Sequence, residues 1–235
     1  MKVPPRLGRL AVRLLGRYAF DPTLDWTTQR ERLTRTGGGR LPDGVTVEST
    51  SYGGVPAERV TPAGGDPRRV LVHLHGGGYC VGTPAIALGW AARLAAATGV
   101  TVVLPDYRLA PEHPYPAALD DASSVWAALR DEHDPADLLL SGDSAGGGLA
   151  LALAGRLRDQ AAGLPAGLVL ISPWLDLTAD RAADARLARR DPMLRADWLA
   201  ACATAYAAPQ PLSHPDISPL FAPLDGLPPT LVQAG

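Results

Sequence analysis

The sequence predicts an α/β protein built on an open, mostly parallel sheet. Short, almost wholly apolar runs recur along the chain, at residues 70–74, 100–104, 138–141, 168–172 and Thr230–Gln233. Such runs are typical of strands that are buried on both faces. Ala-rich stretches of helical character lie between them, at residues 84–97, 116–130 and 145–160. This alternation of strand and helix, in a chain of 235 residues, predicts one α/β domain.

Two regions depart from the alternation and predict further elements. Val45–Tyr52 and residues 55–61 flank Gly53 and Gly54, a pattern that indicates a hairpin or a pair of early antiparallel strands. Residues 179–208 form a long Ala/Arg/Leu segment, which we interpret as a helical cap inserted into the core. The predicted organisation is therefore N-terminal cap helices in residues 1–40 and an α/β core in residues 41–235.

The N-terminal run has the pattern of an amphipathic helix. Its apolar residues fall at helical spacing and form one stripe, at Leu7, Leu10, Leu14, Leu15 and Tyr18. Arginines interrupt the run and no small-residue cleavage site follows it, which argues against a signal peptide. Two interpretations remain: a helix that packs on the domain, which we favour, and a helix that lies on a membrane surface.

Composition narrows the classes of function. The chain is 46% hydrophobic and 20% charged, as in a folded globular protein, and its formal net charge of −2 argues against nucleic-acid or anionic-membrane partners. No apolar run reaches the roughly 18 residues that a membrane span needs. Cys80 and Cys202 lack the spacing of zinc ligands, so we expect no metal site. Two cysteines also favour a reducing compartment over a disulfide framework, and we expect a cytoplasmic protein.

A pattern of the nucleophile-elbow type, Gly-x-Ser-x-Gly, follows the predicted strand at 138–141. It consists of Gly142, Asp143, Ser144, Ala145 and Gly146. In such an elbow a strand turns sharply into a helix, so the serine adopts a strained conformation with an exposed Oγ. The flanking glycines are needed because side chains there would collide with the neighbouring strand and helix. The pattern predicts Ser144 as a nucleophile.

A glycine loop follows the predicted strand at 70–74. It consists of His75, Gly76, Gly77 and Gly78. Acyl transfer passes through an oxyanion, and glycines let backbone N–H groups approach it closely. A His-Gly-Gly-Gly loop of this kind supplies oxyanion donors in lipases and esterases, and the N–H of the residue after the nucleophile, here Ala145, completes the set.

With the segments 106–116 and 172–176, these motifs resemble the hormone-sensitive-lipase-like group of α/β-hydrolases, the bacterial family IV esterases. The resemblance covers roughly residues 40–235. It implies the α/β-hydrolase fold and hydrolysis of short- to medium-chain carboxylic esters without a cofactor. It also implies that Gly77, Gly78 and Ala145 donate to the oxyanion, and that His75 and residues 106–116 maintain the shape of the site.

A base and an acid are needed to activate the serine, and in this fold they follow it in the order acid, then histidine. By the resemblance, the acid is expected within a few residues of Gly235 and the histidine further on, so we expect a C-terminally truncated chain that lacks the last strand and helix. The five histidines of the chain all precede Thr230–Gln233, and none is expected to act as the base. We therefore expect weak or no turnover from these 235 residues. The alternative interpretation is a non-catalytic protein of the same fold that binds a small molecule.

Overall fold

The structure is a computed structural model that describes residues 5–178 and 191–234. The part of the predicted cap at residues 179–190 lies outside the described residues. All helices and strands below are numbered within the described part of the chain.

Seven strands form one mixed sheet in the order β1-β2-β4-β3-β5-β6-β7. Their bounds are β1 Val45–Tyr52, β2 Val55–Pro62, β3 Asp66–Leu74, β4 Val100–Pro105, β5 Leu138–Asp143, β6 Gly167–Ile171 and β7 Thr230–Gln233. Strands β4, β3, β5, β6 and β7 pair parallel to one another, whereas β2 pairs antiparallel with both β1 and β4. The predicted α/β fold class is confirmed, and the parallel strands bring their carboxyl ends to one edge of the sheet.

The N-terminal strands form a tight hairpin, which decides between the two arrangements that the sequence allowed. Tyr52 pairs with Val55, so only Gly53 and Gly54 form the turn. Both glycines have positive φ, 57° and 82°. This backbone is that of the two-residue hairpin turns that match the twist of the strands, and glycine adopts it without steric cost.

Six helices surround the sheet or cover its edge. Their bounds are α1 Pro5–Ala19, α2 Trp26–Thr34, α3 Pro84–Thr98, α4 Ala117–Glu132, α5 Ala145–Asp159 and α6 Ala196–Ala207. Asp25 caps α2, because its Oδ1 accepts the Thr28 N–H at 2.8 Å. The three predicted core helices are confirmed to within two residues at their starts and ends, and α6 lies inside the segment predicted as an inserted cap.

The sheet has an apolar core on each face. Along β3 the side chains alternate: Val70 and Val72 belong to the larger core with α4, α5 and α6, whereas Leu71 belongs to a smaller core with the alanines of α3. The same alternation places Val103 on one face and Val102 on the other. Strands covered on both faces have no polar side, which accounts for their continuous apolar sequence.

Burial on both faces does not extend to the far edge of the sheet. Val169 and Ile171 of β6 are half-buried, and all four residues of β7 are exposed, Leu231 by 63%. The expectation that every apolar run is buried is therefore wrong for β7. This strand is an exposed apolar edge of the sheet.

Helix α1 packs on the body of the protein through its last turn. Gly16, Ala19 and the following Phe20 are buried, and the Phe20 ring lies 4.6 Å from that of Trp198 in α6. The predicted stripe is exposed instead, from 58% at Leu7 to 37% at Leu15. The favoured expectation, that this helix packs on the domain, is thus correct for its end and wrong for its leucines. No helix in the described residues combines the length and apolar content needed to cross a membrane.

Core packing around β5 predicts a large effect of Leu140→Ala. Leu140 is fully buried in the central strand, so its truncation leaves a cavity. We expect the free energy of unfolding, measured by urea denaturation, to fall by about 2–5 kcal/mol. Leu224→Ala removes the same atoms from a side chain that is 53% exposed, and is expected to cost less than about 0.5 kcal/mol. Equal losses in the two variants would contradict the described packing.

Candidate active site

Ser144 occupies a strained turn between β5 and α5. Its backbone has φ 52° and ψ −121°, a conformation that residues with a side chain rarely adopt. A Cβ on Gly142 would meet the carbonyl oxygen of Gly146, and a Cβ on Gly146 would meet that of Leu74 in β3. The collisions expected at the two glycines of the elbow are therefore present, and they leave no room for any other residue.

Backbone hydrogen bonds hold the elbow from both sides. The Ser144 N–H donates to the carbonyl of Ile171 at 2.9 Å, and the Ser144 carbonyl accepts from Gly147, Gly148 and Trp174. These bonds tie the turn to the end of β6 and to the segment after it. Ala145 is the first residue of α5, where a helix has no internal acceptor for the N–H. This N–H is therefore available to an anionic group beside Ser144.

The glycine loop follows β3 at the same edge of the sheet. Gly77 has φ +131° and Gly78 has φ +62°, both in the region that favours glycine. A Cβ on Gly77 would meet the carbonyl oxygen of Val81, and one on Gly78 would lie 2.8 Å from Cys202 Sγ. The loop is thus packed against its own next turn on one side and against α6 on the other.

Asp143 joins the elbow to the glycine loop. Its Oδ1 accepts the Gly76 N–H at 2.9 Å, so the residue before Ser144 holds the loop that follows β3. A Cβ on Gly76 would occupy the place of this carboxylate. His73 lies behind Asp143, with Nε2 3.3 Å from Oδ1, while its Nδ1 is 2.9 Å from Ser141 Oγ. The two predicted motifs are therefore one connected structure.

His75 is buried within the loop. Its Nδ1–H donates to the Gly76 carbonyl at 2.9 Å, and the ring stacks on Tyr107 at 4.3 Å. The Tyr107 hydroxyl in turn donates to the His75 carbonyl at 2.6 Å. Nε2 is buried without a hydrogen-bond partner, and burial lowers the pKa of His75 to about 4. The ring is neutral at pH 7 and holds the loop in shape through its contacts.

The segment 106–116 is anchored to α4 by a buried carboxylate. Asp121 accepts three bonds from the Arg108 guanidinium and one from the Arg108 N–H, at 2.7–3.0 Å. The Asp121 side chain is only 11% exposed, so it is held by this arginine and not by solvent. The Ala110 N–H also donates to the Tyr79 carbonyl at 2.9 Å. This segment therefore lies directly against the glycine loop.

Arg30 in α2 joins the same two loops, and no sequence pattern distinguishes it from the many other arginines. Its guanidinium donates to the carbonyls of Cys80 and Ala110, each at 2.8 Å, and pairs with Glu112 at 2.6 Å. Trp198 in α6 donates to Gln29 at 2.8 Å and lies against Gly78. Helix α6 thus contacts the glycine loop, and α2 contacts the residues directly after it.

No side chain in the described residues hydrogen-bonds Ser144 Oγ. All five histidines are described, and each lies elsewhere: His73 and His75 behind the loops, His113 and His133 at the surface or a helix end, and His214 beside Tyr115. Within residues 5–178 and 191–234, no group of three or more His, Cys, Asp or Glu side chains is arranged to hold a metal ion.

Comparison with known proteins indicates the same class of protein as the geometry of the site. The model of the alpha/beta hydrolase fold family matches residues 71–235. A Mycobacterium tuberculosis protein whose name describes an acetyl-hydrolase is 42% identical over 201 residues, which are 85% of this chain and 65% of that protein. An esterase of Acinetobacter venetianus is 40% identical over 194 residues, 81% of this chain and 63% of its own length.

Solved structures extend the match to nearly the whole chain. An esterase of the bacterial hormone-sensitive lipase family superposes with a TM-score of 0.88 at 35% identity, covering 99% of this chain and 79% of its own. The chain therefore belongs to the α/β-hydrolase family, in its hormone-sensitive-lipase group. It spans just under two thirds of the length of the curated relatives that it matches.

The hydrogen bond between Asp143 and the Gly76 N–H predicts that Asp143→Ala makes the fold less stable. The buried Gly76 N–H would lose its acceptor, so we expect the free energy of unfolding to fall by about 1–3 kcal/mol and the Gly76 amide to exchange faster by NMR. Asp143→Asn keeps an acceptor oxygen, so we expect it to lower the free energy of unfolding by less. Asp159→Ala, at an exposed aspartate, is the control. A Gly76 amide that stays protected in Asp143→Ala contradicts the described bond.

Because His75 is buried and neutral, we expect the free energy of unfolding to depend on pH. Because its pKa falls from 6.5 to about 4 on folding, the unfolded chain binds more protons between these values. The contribution of His75 to the free energy of unfolding, roughly 3 kcal/mol, is complete above pH 6.5 and is lost as the pH falls towards 4. His75→Asn, which keeps a donor for the Gly76 carbonyl, is expected to be less stable at pH 7 but to lose less on acidification.

Urea denaturation between pH 4 and pH 7 measures this difference. His113→Asn is the control, because His113 is exposed, and it should keep the pH dependence of the parent chain. If His75→Asn and the parent lose stability in parallel, His75 is not the group responsible.

Proposed function

We propose that the protein is a carboxylic ester hydrolase that acts on short- to medium-chain acyl esters through an acyl-enzyme. The observation that carries the proposal is the single assembly of a strained Ser144, the start of α5 and the glycine loop, tied together by Asp143. Such an assembly is costly in backbone strain, and acyl transfer is a chemistry that needs it. The names of the relatives, an acetyl-hydrolase and an esterase, support the same substrate class.

In the proposed reaction, Ser144 Oγ attacks the ester carbonyl carbon and a base takes the hydroxyl proton. The carbonyl oxygen becomes an oxyanion, to which the N–H groups of Gly77, Gly78 and Ala145 donate hydrogen bonds. The tetrahedral intermediate expels the alcohol, which leaves with a proton, and forms the acyl-enzyme. Water then hydrolyses the acyl-enzyme and regenerates Ser144. His75, Gly76, Gly142, Asp143 and Gly146 support the shape of the site.

The base and its orienting acid are not assigned to any described residue. Without a base, a serine hydroxyl is a poor nucleophile, and the donors and binding alone give only about 10³–10⁴-fold acceleration over water. We therefore propose weak turnover for the 235 residues alone. This observation also favours the second candidate, a protein of the same fold that binds small acyl compounds without turnover.

The compartment is likewise a proposal. Cys80 and Cys202 are both free thiols, and burial raises the pKa of Cys202. Free, unpaired cysteines are ordinary in a reducing compartment, which favours the cytoplasm.

Hydrolysis of an activated acetyl ester tests the proposal and separates the two candidates. The protein is assayed both as the 235-residue chain and at the full length that its gene encodes. We expect Ser144→Ala to lower kcat/KM of the full-length protein by at least about a thousandfold, because nucleophilic catalysis is removed. Ser51→Ala, at an exposed serine in β1, should leave the rate unchanged.

A serine-directed phosphonate adds a second readout. We expect it to label Ser144 in the full-length protein, as intact mass and peptide mapping would show. A full-length protein that binds acyl esters but neither turns them over nor reacts at Ser144 would be a binding protein, and the hydrolase proposal would fail.

A further inference from the structure

Helix α1 turns its apolar side away from the rest of the protein. Five large apolar side chains on this side are exposed, Leu7 by 58%, Leu10 by 53%, Leu14 by 57%, Tyr18 by 41% and Leu15 by 37%. Scattered exposed leucines are ordinary, but a continuous apolar stripe on one helix marks a surface that binds something.

The geometry of the helix explains how this stripe comes to face outward. At about 100° per residue, Leu7, Leu14 and Tyr18 lie on one side, and Gly16 lies about 180° from Leu7. Gly16 contacts the body of the protein, since a Cβ there would meet the Met193 backbone. Gly16 and Ala19 thus face inward and the leucines face outward, the reverse of an ordinary surface helix.

The charge of the helix is entirely positive. Pro5–Ala19 contains four arginines and no acidic residue, although the whole chain has a net charge of −2. Arg13 and Arg17 are exposed and lie beside the apolar stripe. Arginines at the border of an apolar face can extend to a negatively charged layer while the apolar side chains enter a less polar one.

We propose that α1 is a docking surface for an anionic lipid bilayer, with the helix lying in the plane of the interface. The exposed leucines enter the boundary between headgroups and acyl chains, and Arg13 and Arg17 contact lipid phosphates. Tyr18 has the apolar ring and polar hydroxyl that suit this boundary. The net charge of the chain argued against such a partner, but a membrane responds to the charge of the surface that touches it.

A second copy of the chain fits this surface less well. Pairing of two α1 faces would bring arginines of both helices to the border of one apolar contact, and like charges at close range oppose association. An anionic bilayer satisfies both the apolar stripe and the arginines. The proposal does not rest on ester hydrolysis.

The position of α1 determines which side of the protein faces the bilayer in the proposed contact. Phe20, at the end of the helix, lies against Trp198, and Trp198 lies against Gly78 of the glycine loop. Docking through α1 therefore brings the cap side of the candidate active site to the lipid surface.

Co-sedimentation with lipid vesicles tests the proposal with the 235-residue chain and with the full-length protein. We expect at least about tenfold tighter binding to vesicles that contain phosphatidylglycerol than to pure phosphatidylcholine, weakened as salt is raised above about 0.1 M. The double variant Arg13→Glu and Arg17→Glu should lose about tenfold or more on the anionic vesicles.

Two matched controls distinguish binding through α1 from a general effect of net charge or of exposed leucines. Arg68→Glu with Arg69→Glu makes the same change in net charge on exposed arginines of β3 and should bind as the parent does. Leu10→Glu with Leu14→Glu should abolish binding, whereas Leu220→Glu with Leu224→Glu, at exposed leucines outside α1, should not.

A labelled variant keeps the test decisive if the glutamate variants fail to fold. Leu10→Cys carries an environment-sensitive fluorophore, because Cys80 and Cys202 are buried and do not compete for the label. A blue shift on anionic vesicles alone supports the proposal. Absence of binding, equal binding to both vesicle types, equal loss in the two arginine variants, or self-association through α1 in light scattering without vesicle binding would each overturn it.

Discussion

The strained backbone of Ser144 is the constraint on which the candidate site depends. A positive φ at a residue with a side chain costs free energy and persists only where the surroundings leave no alternative. Here the carbonyl of Ile171 holds the Ser144 N–H, and the close approach of Gly142 to Gly146 leaves no space for a wider turn. The elbow is therefore a product of the packing of β5, β6 and α5 together. Disturbing any of them would allow the serine to relax.

The glycine loop depends on the elbow in turn, and it is held from three directions. Asp143 binds the Gly76 N–H from the elbow, Tyr107 binds the His75 carbonyl from the segment after β4, and Arg30 binds the Cys80 carbonyl from α2. Backbone N–H groups can stabilise an oxyanion only if they are fixed before the charge develops. The three contacts supply that fixation from the elbow, the segment after β4 and α2. A change in α2 can thus reach the glycine loop without touching Ser144.

Helices α6 and α1 present two surfaces that have opposite requirements. On the inner side, Trp198 and Cys202 of α6 are buried and fill the space behind Gly78. On the outer side, α1 exposes leucines and arginines, and its last turn and Phe20 contact the body of the protein. The inner side needs close packing to hold a loop, whereas the outer side suits contact with a larger partner. Phe20 and Trp198 connect the two.

The sequence by itself determined the fold class, most of the helices and strands, and the elbow and glycine loop. These are local features, because periodicity sets the elements and a glycine is required wherever the backbone turns this sharply. The sequence could not identify Arg30, the buried role of Asp121 or the link between Asp143 and Gly76, since each joins segments that are distant along the chain. It also left open which way the leucines of α1 face. A stripe shows that a helix has an apolar side, but only the tertiary structure decides whether that side meets the core, because orientation depends on which residues the rest of the protein can pack against.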